Sequence, residues 1–235
     1  MERLQHELPT KVKGLTMKIN LVNELQVSAE QDDVLTVLRK TKRLASKLNR
    51  TDISDWLNSE LNGYDIDQDL PVYRHVASTV AYNTNGYVPA GFGMLKKGIE
   101  DLPFFGSIKV YVREPISSVM SMIEAVKNGT NHGMFVQVNP EIDRFIRSIL
   151  SLAQDYDQQI TFLMRLNKAD VMAIPDQIKD KVLDWACALE AAGVHGEGIS
   201  FSQEEKEKAH NVSINITNCT VDQVNALGEN MKVSR

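Results

Sequence analysis

Cysteine is scarce in this 235-residue sequence, which has only Cys187 and Cys219. A disulfide-stapled secreted domain needs several pairs in a far smaller chain, so a reducing compartment is the expectation. Aromatic residues make up 6% of the chain. None stands among the basic residues of segment 39–50, which leaves no stacking platform there for single-stranded nucleic acid. No apolar run approaches the roughly 20 residues that span a bilayer. Residues 1–14 are charged and have no apolar centre of the kind a secretion signal needs. A cytoplasmic protein with no membrane association is expected. Basic excess is missing too: 26 Lys+Arg stand against 31 Asp+Glu, a net charge of -5. That balance argues against a dedicated nucleic-acid binder.

Catalytic signatures are equally sparse. There is no Walker motif and no G-x-S-x-G elbow. Gly91-Phe92-Gly93 begins like a dinucleotide fingerprint, but Lys96 stands where the third glycine belongs. The histidines are scattered, and His195, His210 and Cys219 lack the spacing of a zinc site. Cys187, beside Trp185, Ala186 and Leu189, reads as a small core residue. Asp65, Asp67 and Asp69 open like a calcium loop, yet Leu70 occupies the glycine position and Val76 the glutamate position. Neither a metal nor a cofactor is expected.

What the chain does have is an apolar content of 43%, enough for a sizeable core in one or two domains. Leu21, Val22, Leu25 and Val27 give a short helical face that breaks at residues 31–33. Val34, Leu35, Leu38, Leu44, Ala45 and Leu48 then recur at helical spacing, with Arg39, Lys40, Lys42, Arg43 and Lys47 between them. Thr51 is placed to cap a third helix that turns Ile53, Trp56, Leu57 and Leu61 inward, and Gly63 stands at its left-handed C-terminal cap. Residues 72–82 fit a strand or a helix. Ile108, Val110 and Val112 alternate as a half-buried strand, Pro115 opens a helix ending at Asn128-Gly129, and residues 134–138 form a second strand.

From Ile142 the helical rhythm returns. It is carried through an apolar block of Ile160, Phe162, Leu163 and Leu166, then a helix from Ile178 to a cap at Gly193. Ser202 and Glu205 form a capping box for a short charged helix. Val212, Ile214 and Ile216 alternate in the tail, where period two replaces 3.6. The fold class is therefore mainly α, in the α+β sense: a helical body, a few short strands in the middle and a short β-rich C-terminal tail. The expected organisation is an N-terminal domain at 1–132, a helical region at 133–210 and the tail at 211–235.

Three strings say more than their physics. They are Leu38-Arg39-Lys40-Thr41-Lys42-Arg43-Leu44-Ala45, then Trp56-Leu57-Asn58-Ser59-Glu60-Leu61-Asn62-Gly63-Tyr64, then Leu70-Pro71-Val72-Tyr73-Arg74. Together they resemble the AbiTii domain, whose pattern is an Arg-bearing helix ending in Leu-Ala, a W-x-x-x-E-L-x-G-Y segment and a subsequent L-P-x-Y-R. Val182-Leu183-Asp184-Trp185-Ala186 and the run from Gly196 to Lys206 are similar to the stretch C-terminal to that domain in several such proteins, while residues 76–175 match loosely. The resemblance implies a bacterial abortive-infection protein that limits phage spread by halting or killing the infected cell. It brings no catalytic residue with it.

On the residues themselves, Trp56, Leu61, Gly63, Tyr64, Pro71 and Tyr73 read as core and capping positions, with Glu60 and Arg74 as a bidentate pair tying the third helix to the segment after Pro71. Segregated charge favours a non-enzymatic sensor or effector working through self-assembly, a phage component or a neighbouring defence protein. Arg39, Lys42 and Arg43 are its candidate interaction face. Two alternatives stand beside it. One is a metal-dependent toxin such as a nuclease using Glu60, Asp65, Asp67 or Asp69. The other, less favoured, is a nucleic-acid sensor using the basic helix.

Overall fold

The computed structural model of the chain describes residues 20–83, 108–130, 133–138, 140–150, 161–198 and 200–214. Asn20 caps α1 (Leu21–Gln31), its side chain accepting from the backbone N–H of Val22 at 3.0 Å and Asn23 at 3.1 Å. The break at residues 31–33 is a corner between helices. Asp32 closes α1, and Asp33 opens α2 (Val34–Lys47) by accepting from Thr36 N at 3.0 Å and Thr36 Oγ1 at 2.6 Å. Along α2 the buried positions Val34, Val37, Leu38, Thr41, Leu44 and Ala45 repeat at helical spacing. Asn49 ends the run with φ 58, the left-handed conformation that glycine more often supplies. In α3 (Thr51–Asn62), Thr51 is the first helical residue rather than the cap. Arg50 holds the N-cap position and makes no side-chain cap bond.

A 3₁₀ turn, Val72–Arg74, leads into β1 (His75–Asn83), so the ambiguous segment is a strand. Then come β2 (Ile108–Tyr111), α4 (Ile116–Lys127), β3 (Phe135–Gln137), α5 (Pro140–Leu150), β4 (Thr161–Leu166), α6 (Lys168–Ala191) and α7 (Gln203–His210). The strands form one antiparallel sheet in the order β2-β1-β4-β3. The chain is thus mainly α with a small sheet.

Three local expectations are corrected. The block at residues 162–166 is not helical but the strand β4, paired on both sides. Phe162, Met164 and Leu166 are buried while Leu163 is half-buried and Arg165 exposed, which is period two. Helix α6 starts at Lys168, well before Ile178, because Asn167 caps it through Ala169 N and Asp170 N. It runs through Pro175, where the missing N–H removes one helical hydrogen bond but the buried face from Val171 to Leu189 continues. Cys187 is exposed rather than in the core. It lies one position past Ala186 on the rim of the apolar stripe, where Gln26 Nε2 approaches its sulfur at 3.8 Å.

The core is built where α1 and α2 pack on α6, with α3, α4 and one face of the sheet closing around them. No helix among the described residues is long and apolar enough to cross a membrane. Residues 212–214 belong to no strand, and the tail beyond them, Cys219 and the turn signals at 84–93 lie outside the described residues.

The turn after α6 carries the start of the fold. Leu21 N donates to Gly196 O at 3.2 Å and Val22 N to His195 O at 3.1 Å. The Ser202–Glu205 capping box is present, and Glu205 does more than cap α7: it also accepts from His195 N at 2.9 Å and Gly196 N at 2.8 Å. Burial works against the charge, but backbone N–H groups of Gly196, Ser202 and His195 outweigh it and hold the carboxyl at about 2, against 4.5 ordinarily. A carboxylate depressed in this way stabilises the fold above its unfolded pKa, and the gain is lost as pH falls from 4.5 toward about 2. Glu205→Gln should therefore melt below the wild type at pH 7, with the gap closing on acidification through that window. Thermal circular dichroism checks this, and equal melting at pH 7 would show that the contact adds nothing.

Candidate functional site

Two of the segments carrying the sequence resemblance, 56–64 and 70–74, meet at one place inside the molecule. Helical spacing puts Trp56 and Glu60 on the inward face of α3, both buried, with Glu60 at 0% exposure. Gly63 then ends the helix with φ 99 and ψ 165, positive φ but extended ψ rather than the left-handed cap expected. That conformation belongs almost only to glycine. Space demands it as well, since a Cβ would sit 3.0 Å from Arg113 O and 3.3 Å from Pro115 Cδ. The close approach lets Tyr64 N donate to Arg113 O at 2.8 Å and turns the Tyr64 ring back over α3. Pro71 is buried and opens the 3₁₀ turn, where Arg74 N reaches Pro71 O at 2.8 Å. The turn delivers Tyr73 and Arg74 to the same spot.

Glu60 is the hub. Its Oε1 accepts from Tyr64 Oη at 2.5 Å and from Tyr73 Oη at 2.7 Å, and its Oε2 pairs with Arg74 Nη2. Trp56 Nε1 donates to Tyr73 Oη at 2.9 Å, which leaves the phenol O–H directed at Glu60. Arg74, also at 0% exposure, sends Nη1 to Glu114 O at 2.9 Å and Val112 O at 3.3 Å. Its guanidinium carbon lies 5.4 Å from the Tyr64 ring centroid. The ion pair is therefore single rather than bidentate, because the tyrosines occupy the second carboxylate oxygen. Burial first, and the neighbouring Glu60 charge second, push both phenols far above their ordinary range, so each keeps its proton and donates. Leu61 packs half-buried against the core beside this network.

The other candidate residues are elsewhere. Asp65, Asp67 and Asp69 lie in an exposed turn, where Arg113 Nη1 holds the backbone oxygens of Asp65 and Gln68. They do not join Glu60, and no group of three metal-ligating side chains occurs among the described residues. Arg39, Lys42 and Arg43 are exposed on α2. Lys42 reaches Asn58 Oδ1 at 2.7 Å and Arg43 approaches Glu24 at 3.7 Å, while Lys40 pairs with Asp32 at 2.9 Å. The basic helix thus finds its acids mainly on α1, not on the acidic segment after it. Arg50 is the exception. Buried at 5% exposure, it chelates Asp52 at 2.8 and 2.6 Å and donates Nη1 to Ala209 O and Val212 O, tying the end of α7 to the start of α3. Its hydrogen bonds lower the Asp52 carboxyl below the usual range. Sequence separation hid this contact, since Arg50 reads as the last residue of a basic run.

The AbiTii family model matches residues 20–214, spanning every element described. The chain belongs to the AbiTii family. Membership places it among abortive-infection proteins of anti-phage defence. No curated protein and no solved structure matches the chain. In this AbiTii protein, then, Trp56, Glu60, Tyr64, Tyr73 and Arg74 form a sealed polar network rather than an open pocket.

Breaking that network from one side strands a buried partner. Glu60→Gln or Arg74→Met should each cost about 3–5 kcal/mol. The double variant Glu60→Gln with Arg74→Met should cost less than the two losses summed, since neither charge is then left alone. Trp56→Ala should cost a similar amount, about 3–5 kcal/mol, by removing a large buried ring. Urea denaturation measures all four; strictly additive losses for the pair would mean that the two side chains do not act together.

Proposed function

We propose that this AbiTii protein acts in abortive infection as a non-enzymatic sensor or effector, through assembly with itself, a phage component or a neighbouring defence protein in the cytoplasm. The observation that supports this reading is the enclosure of the family motif. Its one acid, Glu60, is inaccessible and fully engaged by Tyr64, Tyr73 and Arg74. Such a group has no open position for a substrate or for a catalytic metal. The motif builds a scaffold, and action falls to the surface.

The surface feature best suited to it is the exposed run of Arg39, Lys42 and Arg43 on α2, which rests on a rigid buried face. Segment 34–50 carries six basic residues and no acid. That charge also favours a second reading, in which the same face contacts nucleic-acid phosphates. Binding of that kind falls steeply with salt.

A phage challenge tests the proposal. Wild-type protein should protect at low multiplicity of infection and leave infected cells arrested at high multiplicity. The triple variant Arg39→Ala, Lys42→Ala, Arg43→Ala should melt like the wild type yet lose protection. Full protection by the triple variant would remove α2 as the acting face. Light scattering should give a mass above the monomer, and a monomer at every concentration would end the self-assembly branch. Duplex binding that survives 0.5 M salt would count against the phosphate reading.

A further inference from the structure

Among the described residues the large apolar side chains left exposed are Val27, Ile66, Val72 and Tyr111. Three of them belong to segments that meet at one corner. Ile66, at 82% exposure, sits in the turn that Arg113 holds by the backbone oxygens of Asp65 and Gln68. Gln68 Nε2 braces the same turn by donating to Ser59 Oγ at 2.9 Å. Tyr111 stands two residues before Arg113, its ring edge to face with that of His75 at 4.8 Å. Val72 lies three residues before His75, at the start of the 3₁₀ turn. Asp65, Asp67 and Asp69 surround Ile66, all exposed, and among the described residues no side chain pairs with their carboxylates. The fourth exposed apolar residue, Val27, is one turn along α1 from Glu24, which Arg43 approaches at 3.7 Å, so it flanks the basic face of α2. On that face Arg39 has no acid partner among the described residues, and Lys42 rests on the neutral amide of Asn58. Lys40 is engaged by Asp32 and adds no free charge.

We propose that the acidic corner around Ile66 docks on the α2 face of a second copy of this chain. The two surfaces match in kind: each has an apolar element beside uncompensated charge, and the charges are opposite in sign. Ile66 would meet Val27 and the aliphatic stems of Arg39 and Lys42, while Asp65, Asp67 and Asp69 meet the cationic heads. Within one chain this pairing is not made, since the basic helix finds its acids on α1 and the turn keeps its carboxylates free. Every copy therefore carries both halves of the contact, which either closes reciprocally in a pair or repeats head to tail. The inference rests on the reading of α2 as the acting face and supplies that face with its partner.

Sedimentation velocity of the full chain over a range of concentrations tests it. The wild type should associate, and less so in high salt, which screens exposed charge. One variant carries Asp65→Lys, Asp67→Lys and Asp69→Lys, and another carries Arg39→Glu, Lys42→Glu and Arg43→Glu. Each alone should associate about tenfold more weakly or worse. Mixed in equal amounts they should associate again, because the unaltered helix of the first meets the unaltered turn of the second. Ile66→Ser should weaken association by a similar factor, about tenfold, with no change of charge. All these positions are exposed, and melts equal to the wild type confirm that the variants fold. A wild type that is monomeric at every concentration overturns the proposal. So does association untouched by the turn variant or by Ile66→Ser, or no recovery in the mixture. If phage protection is still lost in the alanine variant of Arg39, Lys42 and Arg43, α2 acts through another partner and this inference alone falls.

Discussion

Glu60 and Arg74 meet where neither touches water, and the arrangement of four segments depends on that contact. Moving two charges out of water costs several kcal/mol for each, which attraction offsets only if the remaining hydrogen-bonding capacity is filled. Here it is nearly filled: two phenols and a guanidinium converge on the carboxylate, and two backbone oxygens take the rest of the guanidinium apart from Arg74 Nε. Those partners come from α3, the residue after Gly63, the 3₁₀ turn and the link between β2 and α4. A slip of any one of them by a residue would leave a charge or phenol unpaired in the interior. The pair therefore works less as a source of stability than as a constraint on register.

That constraint explains why the recognisable residues are the ones they are. Gly63 is required by its backbone angles and by the 3.0 Å approach of Arg113 O. Tyr64 and Tyr73 need hydroxyls as well as rings, because phenylalanine at either would remove one of the two donors to Glu60 Oε1. Pro71 sets the turn that presents Tyr73 and Arg74. Each of these residues answers to the interior, and family membership identifies a defence setting.

Much of this was legible in the sequence because local and tertiary signals agreed. Alternation and helical spacing located α1 to α4, and the Ser202–Glu205 box marked α7. The Glu60–Arg74 contact was legible as well, though not its single geometry, which depends on two tyrosines arriving from different segments. Failures came where one pattern fits two periods or where a partner is remote. Phe162, Leu163 and Leu166 satisfy helical spacing by themselves; pairing with β1 and β3 decides for a strand. The spacing from Ile178 showed only the later part of α6; Pro175 lies inside the helix, and the buried face from Val171 to Leu189 carries it through. Arg50 looked like surface charge because its acceptors, Ala209 and Val212, lie more than 150 residues away.

Helix α6 gives these separate features a common mechanical frame. Its 24 residues extend about 36 Å at 1.5 Å each. Its buried face runs from Val171 to Leu189 and packs on α1 and α2, and the turn after it, held by Glu205, carries the start of α1. Gln26 of α1 reaches Glu190 at 2.9 Å, so the contact with α1 extends to the C-terminal end of the helix. The α2 face that carries Arg39, Lys42 and Arg43 is therefore supported from the inside by α6, and α6 is held by buried residues along its length rather than at one end.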